Sequence, residues 1–229
     1  MLEIFLMSFS DLLNPQFYID NGGLWLLVFI VFAETGLFAG FFLPGDSLLF
    51  VAGIYSFELV NEFIPTDNEY VALLIITVLL VIAGVIGNTV GYWFGRKSGP
   101  YLFRKKDTFF YRKKYLFQAK DFYDNNGGGA IILARFLPII RTFAPIVAGI
   151  VGMDKAKFAL YNIIGCIAWV VSMILGGHFL YAFFLKQFNF DLKSHLEIII
   201  LVIVSLTTVP VMIKLFFTKP KSSADDSPK

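Results

Sequence analysis

Leu133-Ala134-Arg135-Phe136-Leu137-Pro138-Ile139-Ile140-Arg141-Thr142-Phe143-Ala144-Pro145-Ile146-Val147-Ala148-Gly149 is almost wholly apolar, yet it carries two arginines and two prolines. In lipid an arginine costs roughly 3 kcal/mol on insertion scales, and more on an isolated helix. A proline removes a backbone donor and invites a break in the helix. A plain membrane anchor would carry neither. The stretch reads as irregular backbone held inside protein at membrane depth, with positive charge aimed at something negative.

Working outward, the 229-residue chain is 57% hydrophobic and 17% aromatic, with only 16% charged residues and a mean hydropathy of +0.73. Soluble domains lie near a quarter charged and under half apolar. Several apolar runs reach about 20 residues, which predicts a polytopic all-α membrane protein. A transmembrane β-barrel would alternate apolar and polar residues, and these runs do not. The single cysteine, Cys166, excludes an intrachain disulfide or a cysteine-based metal cluster and reads as a small buried apolar residue. No basic region precedes the first apolar residues, so a cleaved signal peptide is not expected.

The chain divides at its breakers. Residues 1–23 predict an in-plane or partly inserted helix, with Asn14-Pro15 and Asn21-Gly22-Gly23 as interruptions. Residues 24–55 are apolar apart from Glu34 and Asp46, are too long for one upright helix, and are broken at Gly36, Gly40 and Pro44-Gly45. A tilted, kinked span and a re-entrant hairpin compete for this stretch, and the breakers with the two acids favour the hairpin. Residues 71–95 form a span whose Gly84, Gly87, Gly91 and Gly95 line one close-packing face, with Asn88 nearby. Residues 96–124 carry paired aromatics between basic clusters and predict an amphipathic helix on the anionic leaflet. A second hairpin is expected over 130–151, spans over 158–185 and 196–217, and a disordered tail over 218–229. Residues 1–217 thus form one integral membrane domain.

Charge sets the orientation. No Lys or Arg precedes Arg96, and that first part holds nine acids; all nineteen basic residues follow, against eight acids. The positive-inside rule places 96–129 in the cytoplasm and the acidic loop 57–70 outside. If 130–151 is re-entrant, the lysine-bearing C-terminus is cytoplasmic too; as a full span it would put that tail outside.

The two hairpins look alike. Phe42-Leu43-Pro44 leads to Ala52-Gly53, and Phe136-Leu137-Pro138 leads to Ala148-Gly149. Asn88 with Gly91 and Trp93 follows the first, and Asn162 with Gly165 and Trp169 follows the second. With the orientation above, the halves enter from opposite sides, the inverted repeat of secondary transporters, whose sites lie near the midplane. Their charges are opposite: Glu34 and Asp46 are equidistant from Gly40, and Arg135 and Arg141 from Pro138. Reversal near each breaker would put each pair at similar depth on facing arms.

These residues carry a family resemblance. Glu34, Pro44-Gly45-Asp46, Gly87-Asn88-Thr89-Val90-Gly91-Tyr92-Trp93-Phe94-Gly95-Arg96, and Arg135-Phe136-Leu137-Pro138-Ile139-Ile140-Arg141-Thr142 with Pro145, Ala148-Gly149, Asn162, Gly165 and Trp169 resemble the DedA family, also called the SNARE-associated or VTT domain family. The resemblance covers roughly residues 24–185. It implies two re-entrant hairpins and lipid translocation: undecaprenyl phosphate uptake in several bacterial members, phospholipid scrambling in eukaryotic relatives, and dependence on the proton motive force in some. The family's functional acids and arginines fall on Glu34, Asp46, Arg135 and Arg141. At Asn88 this chain departs from the family pattern, since many members carry Asp there.

Guanidinium forks bind phosphate oxygens bidentately and stay charged, which suits Arg135 and Arg141 to a lipid phosphate headgroup. They could equally pair with Glu34 and Asp46, and a carboxylate could hold an arginine until phosphate displaces it. In a low-dielectric site Glu34 or Asp46 could also take and release a proton. Pro44, Gly45, Pro138 and Pro145 read as backbone devices alongside Gly40; Asn88 and Asn162 as secondary polar groups; Trp25, Trp93 and Trp169 as packing or interface residues. His178 and His195 are isolated, which disfavours a membrane phosphatase. The expected function is a lipid transporter in the bacterial cytoplasmic membrane, with protons and lipids as partners, no cofactor or metal, no nucleic acid, and homo-oligomerisation left open. A proton-coupled antiporter for cations or small solutes is the alternative, and a non-transporting assembly factor would leave the buried charges without a substrate.

Overall fold

The computed structural model describes residues 15–37, 45–104, 117–118, 120–121, 123 and 127–188. The expected span over 196–217, the tail over 218–229, His195, most of the expected amphipathic segment, and the breakers Gly40 and Pro44 lie outside the described residues. Every regular element among those described is an α-helix: α1 (Pro15–Gly36), α2 (Gly45–Ile54), α3 (Ser56–Asn61), α4 (Glu69–Arg104), α5 (Gly129–Ala134), α6 (Pro138–Ile150) and α7 (Lys155–Phe188).

Helices α4 and α7 are the two long enough and apolar enough to cross a membrane. At 36 and 34 residues each runs to roughly 50 Å, beyond the ~30 Å hydrocarbon core of a bilayer. Both start on a side-chain cap that satisfies an otherwise orphaned amide: Asn68 Oδ1 accepts from the Tyr70 N–H at 2.9 Å, and Asp154 Oδ1 from the Lys157 N–H at 2.9 Å. On α4 the glycines Gly84, Gly87, Gly91, Gly95 and Gly99 are buried while Leu74, Val78, Ile82, Ile86 and Val90 are exposed. That fourfold spacing gives one packed face and one apolar outer face. The ends differ in charge: Glu58, Glu62, Asp67 and Glu69 sit near the start of α4, whereas Arg96, Lys97 and Arg104 lie toward its end, beside Lys155 and Lys157 of α7.

Expected boundaries move at α4 and α7. The span drawn over 71–95 does not stop where the basic segment begins: α4 runs unbroken through Pro100 to Arg104, so residues 96–104 of the expected amphipathic helix belong to it. Pro100 is tolerated because it costs only one carbonyl partner near the helix end. The break expected at Asn21-Gly22-Gly23 is present: helix starts at Pro15, and at Gly23 a φ of 49° and ψ of −137° leave the helical region. Helix α7 extends three residues beyond the expected span at each end.

Side-chain neighbours fix the helix directions. Along α4 and α7, Gly84 meets Cys166, Asn88 meets Asn162, and Tyr92 stacks on Phe158, so these helices are antiparallel. Helix α1 runs parallel to the first half of α4: Gly23 lies beside Glu62 and Phe63, just before α4, and Gly36 abuts Gly87. Helix α6 runs parallel to the second half of α4, with Gly91 beside Pro145, Gly95 beside Ile146 and Gly99 beside Ile150. On α7 the pattern inverts. Helix α5 packs on its first half, where Gly128 meets Tyr161 and Gly165 faces Ile132, and α2 on its second, where Gly53 abuts Ile174 and the helix runs from Asp46 beside Trp169 to Ile54 near Tyr181. Hence α1 with α2, and α5 with α6, are antiparallel pairs gripping the same two long helices in inverted order. An apolar core of α1, α2, α4 and α7 lies at one end, and a second around Tyr92, Phe158 and Ala148 at the other. The charged residues lie between them.

Candidate functional site

Arg141 sits in the first turn of α6, a helix opened by Pro138 at its first position, where a missing N–H costs nothing. Its Nη1 donates to Asp46 Oδ1 and its Nη2 to Glu34 Oε1. The guanidinium therefore clamps the end of α1 to the start of α2, across 107 and 95 residues of sequence. Asp46 also accepts the indole N–H of Trp169 at 2.9 Å. Gly45 admits the Glu34 carboxylate: a side chain at that position would collide with it. Pro145, four residues beyond Arg141 inside α6, has no N–H for the Arg141 carbonyl, which weakens the ladder at the clamp.

Arg135 lies in the turn that joins α5 to α6, since α5 ends at Ala134 and the chain reverses over residues 135–137, before Pro138 and not around it. Its Nη2 donates to Asn162 Oδ1 at 2.7 Å and contacts Cys166 Sγ at 2.8 Å. Asn88 Nδ2 donates to the same Asn162 oxygen at 2.7 Å, and Asn162 Nδ2 to the Val85 carbonyl at 3.1 Å. Trp169 joins the two arginines. The Arg141 and Arg135 guanidinium carbons lie 5.0 and 5.7 Å from its ring centroid, within cation–π range.

All of this is buried. Glu34 is 1%, Arg135 2%, Arg141 7% and Asp46 9% exposed. At roughly 3 kcal/mol for each ionised group in lipid, the four together would cost about 12 kcal/mol, comparable to the whole stability of a domain. Mutual pairing offsets this, but unequally. Arg141 has two carboxylates, whereas Arg135 has none within ion-pair distance among the described residues. Arg135 Nη1, Arg141 Nε, Glu34 Oε2 and Asn88 Oδ1 are buried and lack hydrogen-bond partners among the described residues. Such groups are rare in finished protein cores and mark places where another molecule or water supplies the bond.

Of the residues singled out from sequence, Glu34, Asp46, Arg135, Arg141, Asn88 and Asn162 form one continuous cluster, with Gly45, Pro138 and Pro145 shaping its backbone. Gly40 and Pro44 are outside the described residues. His178 is apart: it is buried near the opposite end of α7, its Nδ1 3.8 Å from Glu69 Oε1 and its ring edge-on to Tyr70. Sequence reading treats Trp169 as packing and Cys166 as a small apolar filler; the structure makes both part of the cluster. Spacing held the signal. Asn162, Cys166 and Trp169 stand at i, i+4 and i+7 and share one helical face, whereas Trp93 stands at i+5 from Asn88 and faces outward, 61% exposed. Among the described residues no three His, Cys, Asp or Glu side chains converge on a point that would hold a metal ion.

A family model, the VTT domain, matches residues 23–179, which contain every member of the cluster. The chain belongs to the VTT-domain, or DedA, family. It is 39% identical over 196 residues to Protein DedA of Escherichia coli (strain K12), covering 84% of this chain and 83% of that one. It is 35% identical over 212 residues to the uncharacterized membrane protein Rv0364 of Mycobacterium tuberculosis (strain ATCC 25618 / H37Rv), covering 90% and 87%. The inner membrane protein YqjA of E. coli is 28% identical over 174 residues, covering 76% and 73%. No solved structure gives a significant match. With relatives named as membrane proteins and two membrane-length helices, this member of the family is an all-α membrane protein.

Proposed function

We propose that this VTT-domain protein is a transporter, not an enzyme, and that it moves a phosphate-bearing lipid, undecaprenyl phosphate or a phospholipid, across the bacterial cytoplasmic membrane. The observation that carries the proposal is Arg135: a buried guanidinium that, among the described residues, has a free Nη1 and no carboxylate, over the same indole as Arg141. A phosphate there would gain charge-assisted bonds that the protein itself does not supply.

In this reading the pairs α1–α2 and α5–α6 are re-entrant hairpins that meet at mid-depth from opposite faces. At 10 and 13 residues, α2 and α6 reach about 15 and 20 Å, half a bilayer each. The basic end of α4 with the start of α7 faces the cytoplasm, as does the C-terminus.

Charge balance suggests the coupling. With Glu34, Asp46, Arg135 and Arg141 all ionised the cluster is neutral. A singly charged phosphate makes it negative, and one proton taken up by Glu34 or Asp46 restores neutrality while loosening that carboxylate from Arg141. Substrate and proton would then occupy the site together. Proteoliposomes carrying undecaprenyl phosphate, phosphatidylglycerol or a soluble cation, each with and without a pH gradient, test this. Movement of a lipid phosphate that the gradient accelerates is expected; movement of the cation alone would replace this reading with the antiporter.

A further inference from the structure

Beyond the central cluster, an open groove of about 450 Å³ lies on the outer side of the α4–α7 contact, at the basic end of both helices. Its floor is the Tyr92–Phe158 stack, with ring centroids 4.2 Å apart. Trp93 forms one wall, and Arg96, Lys97 and Lys155 stand around the mouth. Among the described residues no acidic side chain lines it. Arg96 is anchored, its Nη1 donating to Tyr92 Oη at 2.7 Å and to the Met153 carbonyl at 3.1 Å. Lys97 lies with its Nζ 5.2 Å from the Trp93 ring centroid. Lys155 opens α7, where the positive end of the helix dipole adds to its own charge.

The location matters as much as the charge. Directly along α4 from Trp93 runs the exposed apolar stripe Val90, Ile86 and Ile82. A tryptophan at the end of such a stripe, followed by cations, marks the headgroup level of a bilayer. The volume is that of a small-molecule site, enough for a headgroup and glycerol, with acyl chains left to follow the stripe.

We infer that this groove binds an anionic phospholipid of the surrounding leaflet, its phosphate between Arg96, Lys97 and Lys155 and its glycerol against Trp93 and Phe158. The site is separate from the Arg135–Arg141 cluster and does not rest on the transport reading; a protein that binds here and moves nothing would still satisfy it. Its occupant is a lipid and not free phosphate, because Tyr92, Trp93 and Phe158 give the groove an aromatic lining that opens onto the membrane-facing surface.

Native mass spectrometry of the full-length protein, purified and re-equilibrated with phosphatidylglycerol or phosphatidylcholine micelles, reads retained lipid directly. Wild type should retain phosphatidylglycerol in preference. A lysine near an anionic headgroup is worth about fivefold in binding, so Lys97→Gln with Lys155→Gln should lower that preference roughly 25-fold. Ala159→Phe, which fills the groove from an exposed position, should displace the lipid without touching charge. Lys186→Gln at the opposite end of α7 should change nothing. Equal retention of the two lipids, or retention indifferent to both the double variant and Ala159→Phe, overturns the inference. Displacement of phosphatidylglycerol by millimolar inorganic phosphate would also overturn it, making this a soluble-anion site.

Discussion

Arg135 and Arg141 differ in what they leave behind when removed, and this separates a structural arginine from a substrate-facing one. In Arg141→Ala the carboxylates of Glu34 and Asp46 lose their shared partner while remaining buried. Breaking a buried ion pair from one side costs about 3–5 kcal/mol. For a domain of this size each kcal/mol shifts Tm by about 2–4 °C, so Arg141→Ala should lower the melting temperature by roughly 6–20 °C. Arg135→Ala deletes hydrogen bonds to Asn162 and Cys166 but also deletes a buried charge that has no carboxylate, two opposing terms of similar size. Its melting temperature should stay within about 4 °C of wild type. Both variants should fail to transport. Adding Glu34→Gln and Asp46→Asn to Arg141→Ala should recover most of the lost stability, because no uncompensated charge remains. Thermal denaturation of detergent-purified protein, followed by size-exclusion recovery, measures all of this. A larger loss for Arg135→Ala than for Arg141→Ala would refute the pairing scheme, and full transport by Arg135→Ala would remove the phosphate role from that residue.

Other outcomes follow from the same geometry. Glu34→Gln should leave downhill lipid exchange in proteoliposomes intact while abolishing its acceleration by a pH gradient; unchanged acceleration would move the proton elsewhere. Trp169→Phe keeps a ring beneath the guanidiniums but loses the N–H to Asp46, a bond to a charged group worth about 1.5–3 kcal/mol, visible as a lowered Tm. Gly87→Val should prevent folding, since a Cβ there would lie 2.6 Å from the Phe32 carbonyl on α1. Gly176→Ala, with open space around it in the middle of α7, should instead stabilise by about 0.5–1 kcal/mol.

Much of the site was legible because membrane burial makes charge conspicuous. Glu34, Asp46, Arg135 and Arg141 stand out against apolar surroundings in any reading of the chain, and the opposite signs of the two halves point to contact between them. Glu34 and Asp46 do meet on one guanidinium, while Gly40, about which they are evenly spaced, lies outside the described residues. What did not transfer was the symmetry of the arginines. Spacing about Pro138 suggests equivalent residues, yet the turn falls at 135–137, leaving Arg135 at a helix end facing α7 and Arg141 on the returning helix facing α1 and α2. Trp169 was hidden for a different reason. Aromatic residues are common in membrane helices, and only the shared face with Asn162 distinguishes it from Trp93.

By itself the amino-acid sequence determined the membrane environment, the all-helical class and the small set of charged residues that must answer one another. Those properties follow from composition and local periodicity, which act within a few turns of helix. The tertiary structure alone decided the partners. Which carboxylate meets which arginine, which guanidinium nitrogen is left free, and which tryptophan lies beneath them depend on where glycine faces let backbones approach, at Gly36 against Gly87 and at Gly53 against Ile174. Helix crossings set by those contacts bring Asp46 to Trp169 across 123 residues of chain, and no local pattern encodes a distance of that kind.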